Sequence, residues 1–282
     1  MTSPGWIDLD ERACASAFSR SGLLLRHRLT GHPLLSLEAI AELADSIPPR
    51  DVERNPARLP LVLPAGGAER GDGVPAPGDI VRTINDNGSW LVLWNIEQHP
   101  DYGRLLDECL DPIVRLVPPD DGGMCRREAF LFISSADSLT PVHSDPEHNF
   151  LLQIRGTKRL SIGRFRNAGD HQAEIERYYA GGHRNFSAMP EDAVEFPLEP
   201  GTGVYVPTHA PHWVRNGAEP SVSLSITFHT PRIVRNGQVH KFNAFVRQRG
   251  LHPRPPGESA ASDRVKAALV TVRRAVRYRT RT

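Results

Sequence analysis

The chain changes period once. In its first part, apolar residues recur at helical spacing. LEAIAELADSI, residues 37–47, sets Leu37, Ile40, Ala41, Leu43 and Ala44 on one face, and Pro48 and Pro49 end the run. DYGRLLDECLDPIVRLV, residues 101–117, does the same through Leu105, Leu106, Cys109, Leu110 and Ile113. Pro112 fits that helix only near an end or a kink. Between them lie a Gly/Pro loop, residues 64–78, and WLVLWNI, residues 90–96, which reads as a buried strand.

After Gly122 the runs shorten to strand length: AFLFISS (129–135), NFLLQI (149–154), KRLSIGRF (158–165), GVYVPT (203–208) and SVSLSITFH (221–229). Gly, Pro and Asn punctuate them, which predicts a barrel or jelly roll. Residues 166–198 are long and polar for a simple connection, and read as an insert lying over a site. LHPRPPGESA (251–260) reads as a linker. The helix expected over 262–278 carries Val265, Ala268, Leu269, Val272 and Val276 on one stripe, with Ser262 as N-cap and an Arg-rich opposite face. The expected division is a helical and mixed region over 1–122, a β core over 123–250, and a linker with a basic helix over 251–282.

Composition narrows the classes. No stretch of the 282 residues approaches the apolar length of a membrane span. The start, MTSPGWIDLDERACASAF, lacks a basic region followed by an apolar run, so no secretory signal is expected. Cys14, Cys109 and Cys125 are far apart, which argues against a disulfide framework or a paired-cysteine zinc site and suits the cytoplasm. From residue 231 onward there are 13 Lys and Arg against 2 Asp and Glu, a balance of +11; the net charge of +1 leaves −10 for the rest. Glycine-rich phosphate loops and nucleophile elbows are absent from the sequence.

The chemistry concentrates in TPVHSDPEHNF, residues 140–150. Burying so many polar groups without partners would cost about 1–3 kcal/mol each, so they need a common partner or a surface. On a strand, His143, Asp145 and Asn149 share a parity and hence a face, whereas His148 points the other way and is expected to be exposed. PGTGVYVPTHAPHWVRNG, residues 200–217, offers His209 and His212 as a third ligand. Two histidines and one carboxylate make the facial triad of non-haem Fe(II) oxygenases. A lone His-x-Asp would ordinarily be a solvated turn, and Lys158, flanked by Arg155 and Arg159, could be a surface charge.

The wider pattern resembles the JmjC and cupin-like Fe(II)- and 2-oxoglutarate-dependent oxygenases, including the hydroxylases that inhibit hypoxia-inducible factor. Thr140, His143, Asp145 and Asn149 fall in register with that family's first motif, Gln153, Gly156 and Lys158 with its hairpin, and Pro200, Gly201, Tyr205, Pro207 and His212 with its second motif. The resemblance covers roughly residues 129–230. It implies a double-stranded β-helix in which His143, Asp145 and His212 hold Fe(II). Lys158 and Thr140 would take the distal carboxylate of 2-oxoglutarate, Asn149 would orient the end near the metal, and Phe132 would line the pocket. Thr202 stands where the family often has Asp, and Thr227 where many members have Asn. Trp213 either walls the pocket or is a core residue.

The reaction so implied uses O2 and 2-oxoglutarate to hydroxylate an unactivated C–H bond, with release of succinate and CO2; desaturation, cyclisation and demethylation use the same iron core. Its substrate is a protein or peptide side chain or a small metabolite. The insert, the segment 64–88 and the N-terminal helices would shape its site, and Arg164, Arg166, Tyr178, Tyr179, Arg184 and Asn185 stand among the residues that could meet it, though surface charge explains them equally well. The alternatives are a non-catalytic cupin-like binding module and a cupin metalloenzyme that does not use 2-oxoglutarate. The terminal helix is read as a homodimer contact, with packing on the body as the other option; no nucleic-acid motif accompanies its basic face.

Overall fold

The computed structural model describes residues 5–57, 59–62 and 75–279, the last seven of these by backbone alone. Most of the 64–78 loop therefore lies outside the described residues.

Among the described residues twelve strands form two sheets. The N-terminal part supplies β1 (Ile7–Asp8), β2 (Leu23–His27), β3 (Val52–Pro56) and β4 (Ser89–Leu93). The second part supplies β5 (Cys125–Ser134), β6 (Leu139–His143), β7 (His148–Arg155), β8 (Lys158–Arg164), β9 (Asp192–Leu198), β10 (Thr202–Val206), β11 (His212–Asn216) and β12 (Ser221–His229). The larger sheet runs β1-β2-β10-β7-β12-β5-β4-β3 and the smaller β6-β11-β8-β9. All neighbours in both sheets are antiparallel. This is the expected double-stranded β-helix. The first part is less purely helical than its periodicity suggests, because four of its segments extend the larger sheet.

β12 shows how the sequence builds two faces. In SVSLSITFH the alternate positions Ser221, Ser223, Ser225 and Thr227 are small and polar, while Val222, Leu224, Ile226 and Phe228 are apolar. Strands send successive side chains to opposite faces. The apolar set joins Leu131, Ile133, Phe150 and Leu152 in the main core, on the outer face of the larger sheet. The helices α1 (Glu11–Ala17), α2 (Leu37–Ser46), α3 (Pro77–Arg82) and α4 (Pro100–Leu110) belong to the N-terminal part; α2, α3 and α4 send buried residues into that core, and Phe18, just past α1, joins it. A smaller apolar cluster, including Leu151, Leu160, Val204 and Val214, lies between the sheets.

The outer face also holds His148, which is fully buried rather than exposed. Its parity is as expected, but that face is covered. The ring lies 4.3 Å from Phe18 and 4.9 Å from Phe228 between centroids, and its Nδ1 meets Tyr205 Oη at 2.8 Å. Tyr205 Oη in turn accepts from Ser19 N at 2.9 Å. Tyr205 of the second motif is thus a strut between the N-terminal region and the sheet.

Residues 166–198 divide. Their first part contains α5 (Ala168–Tyr179), but 192–198 form β9, so the excursion from the sheet ends earlier than expected. Beyond β12, α6 (Pro231–Arg247) occupies a stretch read as part of the β core. Thr230 caps it, with Oγ1 accepting from Ile233 N at 3.2 Å. α7 (Ala260–Arg279) packs back on α6. The face it buries is not the apolar stripe: Asp263, Lys266 and Ala267 are buried, while Val265, Leu269 and Val272 are 61%, 52% and 60% exposed.

Candidate metal centre and co-substrate cavity

β6 ends at His143, so the ligand segment is not one continuous strand. The chain crosses from the smaller sheet to the larger between 143 and 148. His143 at the end of one strand and Asn149 at the start of the next both face the space between the sheets, with Asp145 on the crossing. His212 opens β11 and pairs directly with His143.

The three side chains converge. Asp145 Oδ2 lies 3.6 Å from His143 Nε2 and 3.5 Å from His212 Nε2. Each imidazole is oriented by its other nitrogen: His143 Nδ1 meets Pro141 O at 2.8 Å and His212 Nδ1 meets Ala210 O at 2.9 Å. Those carbonyls accept, so the Nδ1 atoms carry the protons and the Nε2 lone pairs face the carboxylate. Two imidazoles and a carboxylate, with ligand atoms within 4.8 Å of one another, form a donor set that fits a divalent metal. Burial and the neighbouring His143 push His212 down to about 4, which keeps it neutral. Burial opposes ionisation of Asp145, but His143, Arg184 and His212 together hold its carboxyl well below the usual range.

The cavity beside the triad holds about 590 Å³ of empty space, its open mouth included. Its walls follow the strand period. β5 contributes Phe130, Phe132 and Ser134; β7 contributes Asn149 and Leu151; β8 contributes Lys158 and Leu160; β12 contributes Ser225 and Thr227. Thr140 and Val214 face one another across the β6–β11 pair and also line it. Trp213 does not: it alternates with His212 and Val214 and faces away, toward the Gly163 backbone.

Lys158 is buried, and no described residue forms a hydrogen bond or ion pair with its ammonium. Burial pushes it down to about 7. A cation so placed calls for an anion from outside the chain, and a dicarboxylate that also reaches the metal supplies one. Asn149 is set for such a guest, because Ser225 Oγ donates to its Oδ1 at 2.8 Å. Thr227 Oγ1 is 3.4 Å from Glu128 O, a weak tie that leaves the hydroxyl at the cavity wall. Gln153 closes the hairpin instead of lining the cavity: its Nε2 donates to Gly156 O at 2.9 Å and Ser221 Oγ at 2.9 Å, and its Oε1 accepts from Ser223 Oγ at 2.6 Å. Gly156 has φ +68°, and a Cβ there would lie 2.4 Å from Pro220 O. Thr202 closes its turn with both a donated and an accepted bond to the backbone of Glu199, which accounts for the change from Asp.

Of the six residues expected to meet a substrate, Arg184 lines the cavity, and its Nη1 donates to Asp145 Oδ1 at 3.2 Å. Arg164 and Arg166 are exposed. Asn185 bridges the backbone of His143. Tyr179 stacks on His240 and lies 3.3 Å from His209 Nε2. His209 is not a member of the triad; its backbone N donates to Asp145 O at 2.7 Å, with φ +57°. Glu147, Trp90 and Trp94 also line the cavity, and no spacing in the sequence marks them for it. Burial, and then the charge of Asp145, push Glu147 up to about 8.

Residues 123–235 match the JmjC domain family in sequence. That match falls on the β core and takes in the span, roughly residues 129–230, that carries the motifs of the resemblance. Among curated proteins none matches the whole sequence significantly. In fold it is similar to a crystal structure of ycfD from Escherichia coli, with a TM-score of 0.50 and 16% identity over 95% of this chain and 68% of that one. It is equally similar to YcfD, described as a ribosomal oxygenase, in complex with cobalt and 2-oxoglutarate: TM-score 0.50, 16% identity, 96% and 68% covered. Among the described residues no helix is long and apolar enough to cross a membrane.

Proposed function

We propose that this protein is an Fe(II)- and 2-oxoglutarate-dependent oxygenase that hydroxylates an unactivated C–H bond on an amino-acid-like side chain or small metabolite. The observation that carries the reading is a single cavity holding both a His-Asp-His donor set and a buried lysine with no counter-ion among the described residues. When bound, Fe(II) with 2-oxoglutarate and O2 supplies the oxidising chemistry, and succinate and CO2 leave as co-products. The chain supplies the rest. His143, Asp145 and His212 hold the metal. Lys158 pairs with the distal carboxylate and Thr140 donates to it. Asn149 orients the metal-proximal end. Phe132, Leu151, Leu160 and Val214 keep that part of the cavity dry, and Thr227 lines it.

The substrate half of the cavity is aromatic and charged, with Trp90, Trp94, Phe130, Glu147 and Arg184. The fold shared with a protein described as a ribosomal oxygenase makes a protein side chain the first substrate class to test. The exposed Val265, Leu269 and Val272 on α7 support a homodimer through that helix. A cytoplasmic location fits the three unpaired cysteines.

The test is succinate formation after admitting air to anaerobic protein with Fe(II) and 2-oxoglutarate, with 2-oxoglutarate binding read in the same sample. Iron-dependent succinate that disappears in Asp145→Ala supports the reading. Binding without turnover means that the substrate gates the reaction. Neither binding nor turnover overturns it.

A further inference from the structure

The insert reaches the metal site by a route that neither the motifs nor the cavity explain. β6 is an edge strand of the smaller sheet. Residues 184–186 run antiparallel along its free side: Ser144 N donates to Arg184 O at 3.2 Å, Phe186 N donates to Val142 O at 3.0 Å, and Asn185 bridges His143. The insert thus supplies the pairing that an edge strand lacks. From α5, Arg177 steadies this segment, donating to His183 O at 2.9 Å and Asn185 O at 2.6 Å.

From that backbone Arg184 extends inward. Its guanidinium sits 4.9 Å from the ring of Trp94, and Nη1 holds Asp145 Oδ1 at 3.2 Å. Trp94 is itself anchored, with Nε1 donating to Glu53 Oε2 at 3.1 Å. Planar guanidinium stacking and hydrogen bonding therefore act on one side chain together.

We infer that Arg184 is a positioning residue for Asp145, an inference that rests on the metal-site reading above. By occupying Oδ1 it leaves Oδ2, the oxygen facing both imidazoles, as the one offered to the metal. A carboxylate with both oxygens free can take up two coordination positions. Arg184 prevents this and so keeps positions open for the co-substrate.

The test uses cobalt(II) alone as the probe, read by its visible absorption, followed by titration of the cobalt protein with 2-oxoglutarate. The proteins are wild type, Arg184→Gln, Arg184→Lys and Arg177→Ala, the last loosening the insert without touching Asp145. Arg184→Met replaces the glutamine variant if that does not fold. Removing an outer partner of a metal ligand typically costs about 10–100-fold. We expect Arg184→Gln to shift the cobalt spectrum and weaken 2-oxoglutarate binding by roughly 10-fold or more, Arg184→Lys to recover most of both, and Arg177→Ala to keep the wild-type spectrum. A wild-type spectrum and affinity in Arg184→Gln would overturn the inference, as would an Arg177→Ala protein that behaves like it. Wild-type protein that fails to bind 2-oxoglutarate with cobalt would instead overturn the oxygenase reading.

Discussion

Ser225 Oγ donates to Asn149 Oδ1 at 2.8 Å across the β7–β12 pair. The bond settles the orientation of the asparagine, because an amide whose oxygen is taken presents its NH2 group to the cavity. A hydroxyl on one strand thereby decides which polar atom a ligand meets on the next. Ser225→Ala frees the amide to turn. A typical hydrogen bond contributes about 0.5–1.5 kcal/mol, so 2-oxoglutarate affinity should fall by roughly 2- to 10-fold with little loss of fold. Calorimetric titration with cobalt present reads this; unchanged affinity would remove Asn149 from the co-substrate contacts.

Lys158 gives a pH signature. Its pKa is pushed down to about 7 by burial, from an ordinary 10.5. Between those values the unfolded chain holds a proton that the folded chain does not. Stability of the ligand-free protein therefore rises with pH across that window and is least below about 7. Lys158→Met should melt higher than wild type at pH 7 without ligand and gain nothing from 2-oxoglutarate, whereas wild type gains. Thermal melts with and without 2-oxoglutarate separate the two; a lower melting point in the variant would mean that Lys158 is already satisfied.

Metal binding should raise stability by mass action. At a free cobalt(II) concentration 100 times the dissociation constant the gain is about 2.7 kcal/mol, and removal by a chelator reverses it. The gain should vanish in Asp145→Ala and His212→Ala and persist in His209→Ala, since His209 contributes its backbone rather than its ring to the ligand loop. Loss of the response in His209→Ala would promote that ring to a ligand.

His148 makes the outer core acid-sensitive. Burial, and after it the charge of Arg232, push its pKa down to about 3 from an ordinary 6.5. The unfolded chain binds the extra proton in that interval, so the stability that neutral His148 provides is present above 6.5 and is lost as pH falls toward 3. The slope is about 1.4 kcal/mol per pH unit for one such group. His148→Phe keeps a ring against Phe18 and Phe228 and should flatten the slope by that amount in denaturant titrations at pH 7 and pH 5. An unchanged slope would place the acid sensitivity elsewhere, for example at His27 or His240, both also held neutral by burial.

What the sequence disclosed follows from how local its signals are. The triad, Lys158 and Asn149 are fixed by spacing within and between neighbouring strands, and the structure brings them to one cavity. The further wall residues were also present in the period of two: Phe130, Phe132 and Ser134 alternate on β5 as Ser225 and Thr227 do on β12. Parity gave the right face for His148 but not what covers it, since Phe18 arrives from 130 residues away, just past the end of α1. Docking of residues 184–186 on β6 escaped for the same reason, and with it the role of Arg184. α6 was hidden by its composition. Its buried side includes Gly237, His240 and Asn243, chosen by its neighbours rather than by a hydrophobic stripe; a Cβ on Gly237 would lie 2.9 Å from Tyr179 Oη.

The two faces of β12 have a consequence for assembly. A slip of one residue in its pairing with β5 and β7 would turn the four hydroxyls of Ser221, Ser223, Ser225 and Thr227 toward the main apolar core and send Val222, Leu224, Ile226 and Phe228 to the cavity side. Such a misthreaded sheet would lose its largest source of burial energy together with its ligand chamber. The hydroxyl face of β12, with Ser225 and Thr227 at the cavity, thus also acts as a proofreading device for folding: mispairing of this strand costs core burial and cavity together.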